Sequence, residues 1–171
     1  GGIYVNGGTL TLSAGSISNN TSTDLGGGLC AINSTVIMNG GFVYNNSSKM
    51  GGGVALLANS TLSMYGGTIF QNASSQNGGG IWCGEGTTLT ISGGIVSGNT
   101  SATQGAGIFT NGVFNLLSGK IVRNQSQSRG GGINLFDSTA VGVISGGEIS
   151  ENFGQQAGGF AVENGAKLTI N

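Results

Sequence analysis

Apolar residues recur along this chain in short alternating runs, three to a cycle, and the cycle returns about every 26 residues. In the fourth cycle Ile81-Trp82-Cys83 alternates as a short strand after the turn Gly78-Gly79-Gly80, and Thr88-Leu89-Thr90-Ile91 alternates after Gly84-Glu85-Gly86. A corner at Ser92-Gly93-Gly94 leads into Ile95-Val96-Ser97, then to Asn99 and a Ser/Thr turn. Period-two runs bounded by glycine corners are strand signals, and no window sustains a 3.6-residue period.

Two motifs keep the beat. G-x-[Ile/Val]-x-x-Asn ends at Asn20, Asn46, Asn72, Asn99, Asn124 and Asn152, with spacings of 26, 26, 27, 25 and 28 residues. A glycine step precedes a large apolar residue at Gly2, Gly28, Gly53, Gly80, Gly107, Gly132 and Gly159. A unit this short cannot bury an apolar face alone, so the repeats must stack on one another. Three strands per turn, each pairing with its copy one repeat on, predict an all-β solenoid, specifically a right-handed parallel β-helix. The seven glycine steps predict six full rungs and a partial seventh, in one domain over residues 1–171 that reads as a segment of a longer repeat protein.

The inward columns can be written from the alternation. The first strand supplies Ile3, Leu29, Val54, Ile81, Ile108, Ile133 and Phe160. The second supplies Leu10, Val36, Leu62, Leu89, Phe114, Val141 and Leu168, and the third Ile17, Val43, Ile69, Val96, Ile121 and Ile149. Burial of these aliphatic stacks, at about 25 cal/mol per Å², is the expected main stabilising force. Glycine supplies positive φ at the corners. The repeating asparagines are expected there too, since asparagine tolerates the left-handed region and its amide can bond a turn backbone. Stacked one rung apart, the six amides form a hydrogen-bonded ladder. Asn20, Asn46, Asn72, Asn99 and Asn124 also stand in N-x-S sequons, but an inward asparagine cannot carry a glycan.

Composition narrows the function. Five basic and six acidic residues give a net charge of −1, which excludes the electrostatic footprint of nucleic-acid binding or a polybasic membrane anchor. No apolar run reaches the roughly 20 residues that span a bilayer, so this segment is not expected to insert in a membrane. Glycine is abundant, with 37 residues, and proline is absent, yet the phase-locked apolar positions argue against a disordered coil. Cys30 and Cys83 fall two repeats apart with opposite strand phase, one outward and one inward, so no disulfide joins them. Two cysteines with no histidine make a zinc site improbable.

The paired motifs resemble those of the polymorphic membrane proteins, β-helical surface adhesins exported by autotransport that repeat GGA[Ile/Leu/Val] and FxxN tetrapeptides. Here the first motif reads GGGL at Gly26–Leu29, GGGV at Gly51–Val54, GGGI at Gly78–Ile81 and Gly130–Ile133, and GAGI at Gly105–Ile108. The second reads ISNN, VYNN, IFQN, VSGN, IVRN and ISEN. Glycine stands where that family has alanine, and Ile or Val where it has Phe. The resemblance implies a cell-surface, extracellular adhesin segment.

Pectate lyases and polygalacturonases share the expected architecture, but their chemistry needs clustered carboxylates with Ca²⁺ and a base, or an acid/base pair. The acids here are Asp24, Glu85, Asp137, Glu148, Glu151 and Glu163. Glu85 and Asp137 fall two rungs apart, and Glu148 and Glu151 follow Lys120 and Arg123 one rung on, as surface ion pairs would. No enzyme activity, cofactor or metal is expected. Ice binding would need flat T-x-T ladders, yet the column Thr9, Thr35, Thr61, Thr88 continues as Val113, Ala140, Lys167.

The informative surface residues are apolar. Tyr4, Trp82 and Phe109 share the outward column of the first strand; Phe42, Tyr44 and Phe70 lie outward on the third, beside Thr68 and Ile95. Contiguous exposed aromatics mark contact surfaces for protein or glycan. The expectation is a non-enzymatic adhesin segment or stalk whose partner is a surface protein, a glycan or a copy of itself. A subunit of a self-assembling filament, or a polysaccharide-binding or polysaccharide-degrading β-helix, are the alternatives. Neither end of the chain carries a capping pattern, so both are expected to be covered, by more of the same chain or by the next subunit.

Overall fold

A computed structural model covers residues 1–171. It is an all-β solenoid of about six turns, each about 26 residues, built from parallel sheets without a helix. The first strands of successive rungs make one seven-stranded sheet: Ile3–Asn6, Leu29–Ile32, Val54–Leu57, Ile81–Cys83, Ile108–Thr110, Ile133–Phe136 and Phe160–Glu163. The second and third strands of a rung share an eleven-stranded sheet, because two rungs run straight through the corner as Thr88–Ser97 and Val113–Val122. Register shifts on either side of Ser92 absorb that bend.

The Ser/Thr turn after the asparagine is more ordered than its composition suggests. In four rungs it pairs as a two-residue strand, at Ser47–Ser48, Ala73–Ser74, Thr100–Ser101 and Gln125–Ser126, forming a fourth-position sheet. The corners stack as well: 65 of the 117 backbone hydrogen bonds lie outside the strands, Thr100 N to Asn72 O at 2.9 Å among them. A turn whose N–H groups are bonded to the rung above cannot move independently of it.

The core runs the length of the stack. The first- and third-strand columns pair in the register expected from the sequence, Ile3 to Leu29 through Ile133 to Phe160 and Ile17 to Val43 through Ile121 to Ile149. A second inward column on each longer strand doubles the core. One runs Val5, Ala31, Leu56, Cys83, Thr110, Leu135, Val162. The other runs Leu12, Met38, Met64, Ile91, Leu116, Ile144, Ile170. Between the end rungs the apolar members of these columns are buried in one continuous cluster, with the polar Thr110 buried among them.

One inward position is corrected. Val141 faces solvent, 38% exposed, and Gly142 takes the core place between Phe114 and Leu168. The turn at 137–140 holds one residue more than the turn at 58–60, so the strand begins one residue later after Ile133 than after Val54, and the inward place falls on Gly142 where a count along the chain gives Val141. The fully buried Phe114 fills the neighbouring volume, and a Cβ on Gly142 would stand 2.6 Å from Leu135 Cδ2. The outward column therefore continues Val113, Val141, Lys167, with Ala140 buried in the turn.

Candidate interaction surface

The asparagine column is a complete hydrogen-bond ladder. Nδ2 of each asparagine donates to Oδ1 of the next: Asn20 to Asn46 at 3.1 Å, Asn46 to Asn72 and Asn72 to Asn99 at 3.0 Å, Asn99 to Asn124 and Asn124 to Asn152 at 2.9 Å. Each accepting oxygen also takes the backbone N–H of the asparagine below, as in Asn72 N to Asn99 Oδ1 at 3.0 Å. The second Nδ2 hydrogen goes to a third-strand carbonyl, Val43 O for Asn72 and Ile69 O for Asn99. Asn46, Asn72, Asn99 and Asn124 are at most 1% exposed, and every polar hydrogen of their amides is used.

The glycine step exists because of this ladder. A Cβ on Gly80 would lie 2.9 Å from Asn99 Nδ2 and 2.6 Å from Gly107 O, so the two sequence motifs are halves of one packing unit. The left-handed corner belongs to a different residue from the one expected. It falls one position before each ladder asparagine, at Asn19, Asn45, Gln71, Gly98, Arg123 and Glu151, with φ between 52° and 60°. The ladder asparagines themselves have negative φ, because their role is to bond across rungs while the preceding residue turns the chain.

The charged residues pair across rungs. Lys120 Nζ meets Glu148 Oε2 at 2.7 Å and Arg123 Nε meets Glu151 Oε2 at 2.6 Å, both exposed. Hydrogen bonds from Lys120 and then Ser150 hold the Glu148 carboxyl below its ordinary range, and the Thr139 hydroxyl and N–H do the same for Asp137. A third pair, Arg129 with Glu163, escaped the sequence reading; it is more enclosed, and Asn134 Nδ2 donates to the same carboxylate at 2.8 Å. No three His, Cys, Asp or Glu side chains converge as metal ligands would. Both thiols are free: Cys30 half-buried on the outer face, and Cys83 in the core, where burial pushes its pKa up to about 12.

The two aromatic groups fare differently. On the first strand Tyr4 is 64% exposed but three rungs from the half-buried Trp82, with Cys30 and Ala55 between them. Phe109, expected on this contact surface, is only 4% exposed. Phe136 covers it, ring centroids 5.7 Å apart, and the chain at Gly105 closes over its Cβ. Strand alternation correctly points Phe109 away from the core, but a loop and a neighbouring ring cover the place.

On the third strand the aromatics do gather. Tyr44 and Phe70 stack face to face, centroids 4.9 Å apart and 14° between planes, and Phe42 meets Phe70 edge-on at 6.3 Å. Phe42 is half exposed, and Ile95, one rung beyond Thr68, is exposed as well. Past Phe70 the column drops to Ser97 and then rises again at Val122. A depression of about 300 Å³ results, with Phe70 and Val122 as walls, Ser97 and Gly98 beneath, and Gln71 and Arg123 at the rim.

No family model matches the chain, and neither the curated proteins nor the solved structures include a match to it. Fold and ladder define a β-solenoid repeat protein with an aromatic strip on one face.

Proposed function

We propose that the chain is a non-enzymatic structural segment of a cell-surface, extracellular protein, a stalk or adhesin length that makes contact through the Phe42–Tyr44–Phe70 strip. The observation that carries the reading is the pairing of a rigid scaffold with an aromatic cluster in which Phe42 is exposed and Tyr44 and Phe70 are half-buried. The ladder and stacked corners leave little freedom between rungs, and the aromatics stand out from that surface on consecutive rungs. Stacked aromatics at a surface are the residues that dominate recognition when a partner covers them. The paired glycine and asparagine tetrapeptides support the same reading through their likeness to surface adhesins.

Adhesion of coated beads under flow tests it. Beads carrying the protein are compared with beads carrying the Phe42→Ser/Tyr44→Ser/Phe70→Ser variant, on surfaces bearing a mucin-type glycoprotein before and after deglycosylation. Retention of the parent beads on either surface, lost in the variant, is the expected result. Equal retention of both proteins would sink the contact role of the strip. Negative-stain images of the same material should show short separate rods; long fibres would move the assignment to a filament subunit.

A further inference from the structure

We infer that the gap in the aromatic column, above Ser97 between Phe70 and Val122, is a binding slot for one neutral pyranose ring of a glycan. This rests on the reading of the third-strand face as a contact surface and names what one part of it holds.

The geometry is set by the rung spacing. The column runs Ser18, Tyr44, Phe70, Ser97, Val122, Ser150, one residue per rung. Phe70 and Val122 are two rungs apart, about 9.6 Å at the usual strand separation. One face of Phe70 is taken by Tyr44 at 4.9 Å, and the next residue of the column on the side away from Tyr44 is Ser97, which lines the depression with Phe70. A flat ring placed one rung on from Phe70 continues the stack and reaches Val122 on its far side. Gly98 keeps the adjacent left-handed corner free of a side chain, where the same corner carries Gln71 one rung below and Arg123 one rung above. The volume, about 300 Å³, is at the small end for ligand sites and suits a single ring.

The rim chemistry selects the ring. The Gln71 carboxamide and the Ser97 hydroxyl make no hydrogen bond within the chain, and both stand at the slot. Arg123 directs Nε to Glu151, leaving its terminal N–H groups to point elsewhere. A pyranose offers an aliphatic C–H face to the electron-rich face of Phe70 and a girdle of hydroxyls to these donors and acceptors. An aromatic side chain would fill the gap but leave the polar rim unused. The Arg123–Glu151 pair leaves no net charge beside the slot, which favours a neutral sugar over a uronic acid.

Amide chemical-shift titration of the labelled protein tests the slot, with neutral β-linked gluco- and galacto-oligosaccharides, a galacturonic-acid oligomer and a tyrosine-containing peptide as probes. The expected result is saturable shifts at Phe70, Ser97, Gly98 and Arg123 with a neutral oligosaccharide, at concentrations up to about 20 mM. Ser97→Phe fills the gap with the chain's own ring and should abolish these shifts. Phe70→Leu, which keeps an apolar side chain but no ring, should weaken binding about ten-fold. Absence of shifts with every neutral sugar, equal response to the acidic oligomer, preference for the peptide, or binding that survives Ser97→Phe would each overturn the assignment. In the bead assay, retention kept by Ser97→Phe but lost in the triple variant would leave the contact strip standing without the sugar slot. Retention lost in neither would remove both.

Discussion

Replacing Asn72 with alanine takes away a side chain that makes four hydrogen bonds in a fully buried place. Its Oδ1 accepts Asn46 N and Asn46 Nδ2, both at 3.0 Å, and its Nδ2 donates to Val43 O at 2.9 Å and Asn99 Oδ1 at 3.0 Å. Asn99 Oδ1 keeps a partner, because the backbone N–H of residue 72 still reaches it. Two donors on Asn46 are left without one, and each buried unsatisfied group costs about 1–3 kcal/mol. The expected loss is therefore about 2–6 kcal/mol, a large part of the stability of an ordinary domain. Thermal and urea unfolding followed by far-UV circular dichroism measure it. For a chain of this size the melting point should fall by about 2–4 °C per kcal/mol. Asn59→Gly is the control: Asn59 is exposed, its φ of 59° suits glycine, and its change should stay within about 0.5 kcal/mol. Asn72→Asp keeps the acceptor for Asn46 but sets a carboxylate oxygen against Asn99 Oδ1. Burial and that facing oxygen raise the folded-state pKa of the new acid. Its penalty is thus absent below the unfolded value of about 3.9 and grows as the pH rises. Equal melting points for the alanine and control variants, or an aspartate variant no more pH-sensitive than the parent, would refute the ladder as a source of stability.

Gln71 sits in the left-handed region at φ 53°, so Gln71→Gly should be neutral to stabilising by about 1 kcal/mol, whereas Thr68→Gly in the strand should destabilise by a similar amount. Urea midpoints decide between the signs. Both thiols have raised pKa values, Cys83 the more so; in the native protein at pH 8 a thiol reagent should label Cys30 slowly and leave Cys83 untouched until unfolding. Equal native rates would contradict the inward placement of Cys83. The Glu148 carboxyl should titrate below 4.5, and Lys120→Met should return it toward that value. Because the folded pKa is depressed, whatever stability the pair adds is present above 4.5 and lost as the pH falls through the folded value; carbon-detected NMR of the carboxyl gives the midpoint.

The repeat itself was plain in the sequence, because aliphatic residues at fixed phase have no other reason to recur. The first and third columns follow from that phase. The second column misled at one place for a physical reason: a β-branched Val141 next to a glycine reads as the buried residue, whereas core volume had already been taken by Phe114. Covering of outward residues was not legible. Alternation says which way Phe109 points but not that Phe136 and the chain at Gly105 close over it. Nor do Gln71, Arg123 or Glu151 advertise left-handed backbone; the bonds of the neighbouring asparagine impose it on them. The ion pairs of Lys120 and Arg123 were legible because strand register sets Lys120 beside Glu148 and leaves Arg123 and Glu151 one residue past the same paired strands, whereas Arg129 reaches Glu163 from a turn with no such register. The slot above Ser97 depends on the stacking of the Tyr44 and Phe70 rings, which strand alternation does not encode.

The saturation of the ladder also constrains how such a chain can be made. Five ladder asparagines, Asn20, Asn46, Asn72, Asn99 and Asn124, are followed two residues on by serine, the pattern an N-glycosyltransferase reads on an unfolded chain. Once a glycan is attached, the amide nitrogen keeps a single hydrogen, and in the interior rungs both are committed to neighbouring oxygens. Rung closure and glycan transfer are therefore competing fates for the same nitrogen, and whichever happens first forbids the other. Passage through a yeast secretory pathway should yield folded protein only from molecules left bare at these five positions, as intact-mass and peptide analysis would reveal. Ser74→Ala offers a quiet way to spare one of them, since that hydroxyl has no partner in the fold. A folded molecule carrying sugar on Asn72 would contradict the ladder outright. The stacking that makes the rod stiff thus also selects, during synthesis, the surroundings in which the rod can form.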